Sequence, residues 1–370
     1  MIYLDYQATT PVAPEVAQAM RPWIEEKFAN PHSPSRWGRE AAAAIEVARA
    51  QVAAHFPLAG TLAFTSGATE ALNWALKGIF EASPRRKLVT VATEHAAVLD
   101  SAEWLEGQGV EVARLPVGPD GLVDLGQARE VIDDATALVT VMLVNNEIGV
   151  IQPVSNLARL AHDKGAWMLC DAVQGYGRME MPGGPDFFAI SSHKVHGPKG
   201  IGALWIREGV PPPAPLLHGG GQEQGLRSGT LSPALCVGFG AAAKLAMERQ
   251  KADYAYVARL WDLAMEVLGA GWSVNGSLNR RYRGNINIRR DGLDGSRLIG
   301  DLRDIAFSLG SACASGSGRP SHVLRALGLS DREARSSIRL GFGRYTSEAE
   351  LVDACRRIDA AARGQESFAA

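Results

Sequence analysis

Short apolar runs alternate with helix-favouring stretches between residues 87 and 206, and this alternation limits the fold more than any other feature of the chain. Helix-favouring sequence covers Ala97–Glu106 and Ser155–Lys164. The apolar runs, each about the length of one buried strand, lie at 87–93, 137–144, 167–171, 187–190 and 202–206. Strands that alternate with helices in this way form a parallel sheet covered by helices. The sequence therefore predicts an α/β fold.

The pattern changes after Ser232. A long alanine-rich, helix-favouring stretch follows, and shorter strand candidates come next at 285–289 and 305–308. Strands that no longer alternate with helices at regular intervals are typical of a smaller α+β unit.

The length of the chain also favours two units. A chain of 370 residues, 46% of them hydrophobic, exceeds the size of one ordinary core. We therefore predict a large α/β domain over residues 14–255. The smaller α+β domain is predicted to consist of residues 1–13 and 256–370.

The charge balance argues against two classes of partner. The chain has 38 Lys and Arg residues against 40 Asp and Glu residues, which gives a formal net charge of −2. Such a balance provides no polybasic field for nucleic acid or for an anionic membrane. We expect neither as a partner.

Leader and cysteine patterns indicate the compartment. Residues 1–6 lack the basic and apolar regions of a secretory signal, and no later run reaches the length of a membrane span. The cysteines are widely spaced, at 170, 236, 313 and 355, without a C-x-x-C pair. They indicate neither a disulfide framework nor a zinc site. We expect a cytoplasmic protein without a bound metal.

The segment Ser191–Gly200 places one lysine directly after a buried strand and before a glycine-proline turn. The strand, Phe187–Ile190, provides the rigid framework that an amine needs if it is to be held close to a carbonyl carbon. Lys194 is therefore the candidate Schiff-base residue. Taken alone, Lys194 and Lys199 would be read as ordinary surface lysines.

Polar groups follow three other apolar runs. Asp171 ends one run, Glu94-His95 follow another, and Asn145-Asn146 follow a third. Ligand-facing residues of parallel sheets lie at such carboxyl ends. Asp171 is a candidate partner for a pyridinium nitrogen, and the His95 imidazole could stack on a flat ring and exchange protons near neutral pH. For Asn145-Asn146, a plain turn is the alternative.

Two tracts of small residues complete the set of candidate motifs. Thr65–Glu70 precedes a helix-favouring stretch, where backbone N–H groups and hydroxyls could hold a phosphate, although a plain helix N-cap is the alternative. Leu309–Pro320 is rich in Ser, Gly and Ala and carries Cys313 in its middle. Such flanks argue against a core role for this thiol. Cys170, Cys236 and Cys355 lie in strand-like or helix-like sequence and are read as small hydrophobic residues.

Together these motifs resemble the pyridoxal-phosphate cysteine desulfurases of the NifS/IscS type, within the class V aminotransferases. The resemblance covers nearly the whole chain. It is carried by Tyr3–Tyr6, Ala8–Pro11, Thr65–Glu70, Glu94-His95, Asn145–Pro153, Asp171–Gln174, Ser191–Gly200, Arg227–Thr230, Gly310–Cys313 and Ser336–Arg339. The fold it implies is fold type I of the pyridoxal-phosphate-dependent transferases, with a mainly parallel seven-stranded sheet in the large domain.

The resemblance implies a role for each matching residue toward pyridoxal 5'-phosphate. Lys194 would bond to the aldehyde and Asp171 would pair with the ring nitrogen. Gln174 would meet the ring hydroxyl, and His95 would stack on the ring. The predicted cofactor-binding set is completed by Ala68, Thr69, Ser191, His193 and Thr230. Of these five, all but Ala68 would hold the phosphate, with Thr230 reaching in from the second subunit of a homodimer.

The resemblance also implies the reaction. Arg339 would clamp the substrate carboxylate, a task that suits a guanidinium fork, and Asn146 would assist it. Lys194 would remove the Cα proton, and the Cys313 thiolate would attack the sulfur of L-cysteine, leaving alanine and a Cys313 persulfide. The predicted catalytic residues are Lys194, Cys313 and His95. The sulfur would pass to an acceptor for iron-sulfur cluster or thio-cofactor synthesis.

Two other functions stay open. A selenocysteine lyase or class V aminotransferase would keep Lys194 and Arg339 without depending on Cys313. A non-catalytic protein that holds a sulfur-transfer partner could use the same fold without turnover.

The sequence departs from the family's common pattern at several positions. Gln222 and Gln224 replace the usual His and Arg, and His196 replaces a frequent tyrosine. The chain also stops without the longer C-terminal extension through which some members dock scaffold proteins. The identity of the sulfur acceptor is therefore left open, as are the need for an activator and the preference for cysteine over selenocysteine.

Overall fold

The computed structural model describes residues 1–309 and 320–369. Its strands are β1 (Ile2–Tyr3), β2 (Gly60–Thr65), β3 (Lys87–Val91), β4 (Glu111–Leu115), β5 (Thr136–Met142), β6 (Trp167–Asp171), β7 (Phe187–Ser191), β8 (Gly202–Arg207), β9 (Ser273–Val274), β10 (Asn285–Arg289), β11 (Ile305–Ala306) and β12 (Ser337–Gly341). Its α-helices are α1 (Pro14–Glu25), α2 (Arg36–Ala53), α3 (Ala68–Ala82), α4 (Ala96–Glu106), α5 (Leu125–Val131), α6 (Val154–Asp163), α7 (Pro233–Leu268), α8 (Gly295–Asp301), α9 (His322–Ala326), α10 (Asp331–Arg335) and α11 (Glu348–Ala369).

The main sheet has seven strands in the order β2-β8-β7-β6-β5-β3-β4. Strand β8 runs antiparallel to both of its neighbours, and the other neighbouring pairs are parallel. The prediction of a mainly parallel α/β sheet is confirmed. The five predicted runs correspond to β3, β5, β6, β7 and β8.

The central strands are apolar on both faces, which explains why the sequence pattern reveals them. Leu88 and Leu138 pack into a hydrophobic cluster on one face with α3 and α4. Their neighbours Val89 and Val139 pack into the cluster on the other face with α6 and α7. Successive side chains point to opposite faces, so a strand covered on both sides is mostly apolar instead of alternating between apolar and polar residues. Cys170, a free thiol, is buried in the second cluster.

The remaining strands form two small units. Strands β12, β10 and β9 make an antiparallel sheet, and β1 pairs in parallel with β11. The N-terminal strand thus joins residues from the C-terminal third of the chain, as the predicted grouping of 1–13 with 256–370 requires. The predicted boundary at residue 255 lies inside α7, and the exact division into domains stays a prediction.

The carboxyl ends of the parallel strands lie along one edge of the main sheet. Glu94-His95 follow β3, Asn145-Asn146 follow β5, Asp171 ends β6, and Lys194 follows β7 in a single 3₁₀ turn, Ser192–Lys194. Parallel β-α-β connections place these ends side by side. The sheet therefore brings together polar groups that are up to 100 residues apart in the sequence.

Asp186 is a buried carboxylate that fixes the start of β7. It accepts hydrogen bonds from the Met168 N–H at 2.7 Å and from Arg207, and it lies 2.9 Å from His162 Nε2. The Asp186 side chain is fully buried. Removing it would leave a buried backbone N–H and a guanidinium without their acceptor, so Asp186→Ala is expected to lower the free energy of unfolding by about 3 kcal/mol.

Denaturant unfolding followed by circular dichroism tests this expectation against Asp163→Ala. Asp163 lies at the end of the neighbouring helix α6 and makes only an exposed ion pair with Arg159 at 3.8 Å. That control is expected to cost less than about 1 kcal/mol. Equal losses in the two variants would contradict the role of Asp186.

Candidate active site

A cavity of about 860 Å³ opens at the carboxyl edge of the sheet. The predicted cofactor-binding and substrate-binding residues meet there, with Thr230 as the exception among those that the structure describes. The predicted residues that line the cavity are Ala68, Thr69, His95, Asn146, Asp171, Gln174, Ser191, His193, Lys194 and Arg339. Their roles toward a bound molecule stay predictions, but their convergence on one cavity is a feature of the fold.

The amine of Lys194 is held by the N-terminal segment of the chain. Its Nζ donates hydrogen bonds to the carbonyl oxygen of Gln7 at 2.5 Å and to that of Ala8 at 2.7 Å. Burial lowers the pKa of Lys194 to about 8, and the positive charges of Arg178 and Arg339 add to this effect. The uncharged fraction of the amine at neutral pH is therefore small but much larger than for an ordinary lysine, and this fraction can act as a nucleophile or a base.

The carboxylate of Asp171 lies at the end of the neighbouring strand β6. One of its oxygens accepts the Val173 N–H at 3.0 Å. Burial raises the pKa of Asp171, and the nearby His95 and Lys194 oppose that rise. An acceptor carboxylate at this position suits a protonated ring nitrogen.

A second carboxylate, Glu94, lies behind Asp171 and has no role in the sequence analysis. The Glu94 side chain is fully buried, and its Oε1 accepts the Met142 N–H at 2.7 Å. The other oxygen has no hydrogen-bond partner among the described residues. Burial and the charge of Asp171 raise the pKa of Glu94 well above its usual range. Glu94 is therefore harder to ionise than an exposed carboxyl group, whereas His95 and Lys194 favour the charged form of Asp171.

His95 is oriented by the helix that it begins. Its Nδ1 accepts the Ala97 N–H at 3.1 Å at the start of α4. An Nδ1 that accepts a hydrogen bond places the proton of the neutral ring on Nε2. The imidazole is thus fixed in one orientation on the cavity wall.

The opposite end of the cavity is rich in hydrogen-bond donors. Helix α3 begins at Ala68, so its first backbone N–H groups lack partners within the helix and lie beside the Thr69 hydroxyl. Ser191 and His193 line the same cavity. Burial, with Lys194 nearby, lowers the pKa of His193 to about 4, so its ring is neutral at physiological pH. This end suits a phosphate.

Arg339 is almost fully buried at the substrate end of the cavity. Its Nη2 donates to Asp5 Oδ1 at 2.6 Å and to Ser308 Oγ at 3.1 Å, and its Nη1 donates to the Asn146 carbonyl oxygen at 3.0 Å. The Asn146 carbonyl oxygen thus helps to hold the Arg339 guanidinium, and the role of Asn146 toward a substrate stays a prediction. Asp5 also holds the Arg339 guanidinium in place, a role that the sequence analysis did not assign.

Two predicted site residues lie outside this cluster. Cys313 is outside the described residues. Thr230 is exposed and does not line the cavity of its own subunit. Its segment is anchored nearby, because Arg227 pairs with Glu70 of helix α3 at 2.8 Å.

The sequence departures also lie away from the cavity lining. The Gln222 side chain accepts the Gly229 N–H at 2.8 Å, and this hydrogen bond links the two ends of the segment that precedes Thr230. His196 has a left-handed backbone with φ of +66°, and its Nδ1 lies 3.0 Å from the Pro11 carbonyl oxygen. Burial lowers the pKa of His196 to about 3, so it is neutral. These residues support neighbouring segments without facing the cavity.

The site residues that sequence reasoning missed act mainly through their backbone or from buried positions. They are Asp5, Gln7, Ala8, Glu94 and Arg178. Asp5 and Ala8 belong to motifs that carry the family resemblance, which was the only signal for them. Gln7 and Ala8 contribute carbonyl oxygens to Lys194, a function that no side-chain pattern reveals.

Comparisons with known proteins agree with this geometry. The family model for aminotransferase class-V matches residues 2–354. The cysteine desulfurase IscS of Rickettsia bellii (strain OSU 85-389) is 44% identical over 368 residues, which cover 96% of this chain and 90% of that protein. The chain belongs to the class-V aminotransferase family, and its resemblance to the NifS/IscS type is confirmed.

Solved structures show the same fold. A structure described as a NifS-like protein superposes with a TM-score of 0.89 at 33% identity and covers 97% of this chain and 98% of its own. A structure of SspA in complex with cysteine has a TM-score of 0.85 at 34% identity, covering 94% of this chain and 100% of its own. The predicted fold class is confirmed by these neighbours.

Members of this family depend on pyridoxal 5'-phosphate, and the residues of the cavity fit it. The aldehyde needs an uncharged amine, which Lys194 provides. The protonated ring nitrogen needs an anionic acceptor, and the Asp171 carboxylate, whose charged form His95 and Lys194 favour, suits this role. The phosphate needs hydrogen-bond donors, which the start of α3 provides, and the carboxylate in this first turn, Glu70, is paired with Arg227.

The lowered pKa of Lys194 predicts how cofactor uptake depends on pH. Below pH 8 the amine is mainly protonated and cannot attack an aldehyde, whereas above it the amine is free. The rate at which apo-protein binds pyridoxal phosphate covalently, followed by absorbance, is expected to rise with pH with a midpoint at about 8.

Two variants complete this test. Lys194→Ala should show no covalent uptake, and Lys199→Ala, which removes another lysine on the cavity wall, should keep the wild-type midpoint. A wild-type midpoint near 10.5, the ordinary value for lysine, would contradict the argument.

Proposed function

We propose that this protein is a cysteine desulfurase, a sulfurtransferase that converts L-cysteine to L-alanine and transfers the sulfur to Cys313 as a persulfide. The observation that carries the proposal is that Lys194, Asp171 and Arg339 line one cavity, where the charges of the other two act on the Lys194 amine. The relatives named cysteine desulfurase, and the structural neighbour in complex with cysteine, support the choice of substrate.

Substrate binding would depend on Arg339. Its guanidinium already donates to Asp5 and to the Asn146 carbonyl, which hold the group in place and leave it at the cavity wall. A substrate carboxylate would meet a guanidinium that is already oriented, so little side-chain freedom is lost on binding. Burial of Arg339 makes each such hydrogen bond stronger than it would be in water.

Proton transfer would depend on Lys194. Pyridoxal phosphate, when bound, supplies an electron sink that makes the Cα proton of the amino acid removable. The Lys194 amine, with a pKa of about 8, is close to the ideal for a base at neutral pH. The carbonyls of Gln7 and Ala8 would receive the Lys194 N–H groups and keep the nitrogen at this position.

Sulfur transfer requires a thiolate, and Cys313 is the proposed nucleophile. The Cys313 sulfur would bond to the substrate sulfur while the substrate carbon–sulfur bond breaks, and the carbon would take up a proton to give alanine. The described cysteines are unsuited to this task. All three are buried, and burial raises the pKa of Cys236 and of Cys355 to about 12.

Replacement of Cys313 tests the persulfide route. Wild-type protein with L-cysteine and a mild reductant is expected to form alanine and sulfide in equal amounts. Cys313→Ser is expected to lose both by at least about a hundredfold, because no nucleophile remains to accept the sulfur. Quantification of alanine and sulfide in one reaction provides the measurement.

Cys355→Ser serves as the matched control, since it also removes one thiol but from the core. It should retain the wild-type ratio of alanine to sulfide. Alanine formation that does not need Cys313 would favour a selenocysteine lyase or aminotransferase, and the same variant assayed with selenocysteine would separate these two. No alanine from any variant would favour a non-catalytic partner protein.

We also propose that the protein acts as a homodimer in which Thr230 completes the site of the partner subunit. The Thr230 side chain is exposed, while Arg227 and Glu70 hold its segment against the main body of its own subunit. An exposed hydroxyl on an anchored segment is free to contact a second copy of the chain.

Complementation between two variants tests the shared site. Lys194→Ala and Thr230→Asp, each inactive alone, are co-expressed with different tags and the mixed dimers are isolated. One of the two sites in each mixed dimer then has both wild-type residues, so activity is expected to return to about half of the wild-type value per dimer. If Thr230 served its own subunit, no activity would return.

The pathway and compartment remain proposals. The IscS-type relatives favour delivery of sulfur to a protein acceptor for iron-sulfur cluster or thio-cofactor synthesis. None of the described helices is long and apolar enough to cross a membrane, and the described residues contain no cluster of His, Cys, Asp and Glu suited to a metal ion. We propose a cytoplasmic location for the reaction.

A further inference from the structure

Arg178 lies directly behind the proposed cofactor site. It follows the turn after β6 and is partly buried beneath Lys194 and Gln174. Among the described residues, no carboxylate lies within ion-pair distance of its guanidinium, in contrast to many other arginines of the chain. A cation placed against the site without a counter-ion must have compensating hydrogen bonds, and these identify what it holds.

The guanidinium bridges two residues of the site. Its Nη1 donates to Gln174 Oε1 at 2.6 Å and to the Gln174 carbonyl oxygen at 3.3 Å. Its Nη2 donates to the Lys194 carbonyl oxygen at 2.7 Å. The guanidinium also lies 5.3 Å from the ring centre of Tyr282, which supports it from one side. The Arg178 guanidinium thus connects the segment that follows β6 with the segment that follows β7.

The contact with Gln174 fixes the direction of its amide. Because Oε1 accepts from Arg178, the amide nitrogen must point the other way, and it donates to the Gln7 carbonyl oxygen at 3.0 Å. The amide group has two N–H bonds, so one remains for the cavity that Gln174 lines. Without Arg178, only the hydrogen bond to the Gln7 carbonyl oxygen would keep the amide from turning its oxygen toward the cavity.

The contact with Lys194 acts on position and charge together. Arg178 holds the Lys194 peptide group, and its positive charge lowers the pKa of the Lys194 amine after the larger effect of burial. The other charged groups that act on this amine are Arg339, which lowers the pKa, and Asp5 and Asp171, which raise it. His193, beside Lys194, is neutral at physiological pH.

We propose that Arg178 is a positioning residue for the cofactor site: its guanidinium directs the Gln174 amide N–H toward the ring hydroxyl of pyridoxal phosphate and holds Lys194 in place. This inference rests on the proposed cofactor site. It requires no turnover of cysteine, so it can fail while the proposed desulfurase activity holds, and the reverse is also true.

Two variants separate the guanidinium fork from its charge. Arg178→Met removes both, and Arg178→Lys keeps the charge while it loses the two-pronged contact. For each variant, the dissociation constant of pyridoxal phosphate and the pH midpoint of its absorbance band in the loaded protein are measured.

We expect Arg178→Met to weaken cofactor binding about tenfold, as for loss of one oriented hydrogen bond. The same variant should shift the pH midpoint of the absorbance band upward. Arg178→Lys should restore the midpoint but not the full affinity.

A double-variant cycle with Gln174→Ala tests whether Arg178 acts through this amide. If it does, Arg178→Met should cost clearly less affinity in the Gln174→Ala background than in the wild type. Equal costs in the two backgrounds, or an unchanged pH midpoint in Arg178→Met, would overturn the proposal.

Arg281→Met is the matched control for general damage. Arg281 is buried, and its guanidinium, like that of Arg178, donates to carbonyl oxygens, including that of Ile148 at 2.8 Å. It also lies 4.3 Å from the ring centre of Trp261. It makes no contact with Gln174 or Lys194 in these hydrogen bonds. We expect Arg281→Met to lower the stability of the protein about as much as Arg178→Met does. It should not shift the pH midpoint of the absorbance band. A shift of the same size in both variants would contradict a specific role for Arg178.

Discussion

The hydrogen bonds from the Lys194 amine to the carbonyl oxygens of Gln7 and Ala8 are the interaction on which the site depends. They hold the N-terminal segment across the carboxyl edge of the sheet, nearly 190 residues away in sequence from the lysine. The same segment places Asp5 against Arg339 and lets Thr10 donate to the His193 carbonyl oxygen. A short stretch of chain thereby connects the lysine, the phosphate end and the carboxylate clamp.

Burial and neighbouring charges shift the pKa values of several ionisable groups in the cavity. Burial and the charge of Asp171 raise the pKa of Glu94, whereas His95 and Lys194 oppose the rise in the pKa of Asp171 that burial causes. Burial lowers the pKa of Lys194, and the positive charges of Arg178 and Arg339 add to this effect. Burial also lowers the pKa of His193, with Lys194, Lys199 and Arg178 acting in the same direction. These shifts belong to the protein alone and are in place before any ligand binds.

The sequence predicted the central strands and their polar ends because both have a strong physical signal. Strands β3, β5 and β7 are buried along their whole length and are therefore mostly apolar runs, with a few lysine, threonine or serine positions. Strands β2 and β4 lie at the two edges of the sheet, where β4 includes the exposed Glu111 and Arg114, so neither forms such a run. Edge strands need no apolar residues on the face that water reaches.

The site was predictable where side chains carry the chemistry and not where the backbone does. Lys194 and His95 follow buried strands and Asp171 ends one, a position that made them candidates, and the family resemblance then assigned their roles. The carbonyl oxygens of Gln7 and Ala8 have no residue-type signal, since any residue could supply them. Glu94 stands beside His95 in the same motif, but its burial depends on the packing of the whole sheet. Local sequence therefore reveals neither the carbonyl contacts of Gln7 and Ala8 nor the burial of Glu94.

Helix α7 has a mechanical consequence for the molecule. Its 36 residues extend without a break from the main sheet to the C-terminal helices, a length of about 54 Å. An uninterrupted helix resists sharp bending, so residue 255 within it cannot act as a hinge. Rotation of the C-terminal part relative to the main sheet would have to arise at the ends of α7, where Gly269 has a backbone φ of +66°. Because α7 is stiff along its axis, a displacement at one end of this helix would be transmitted to its other end.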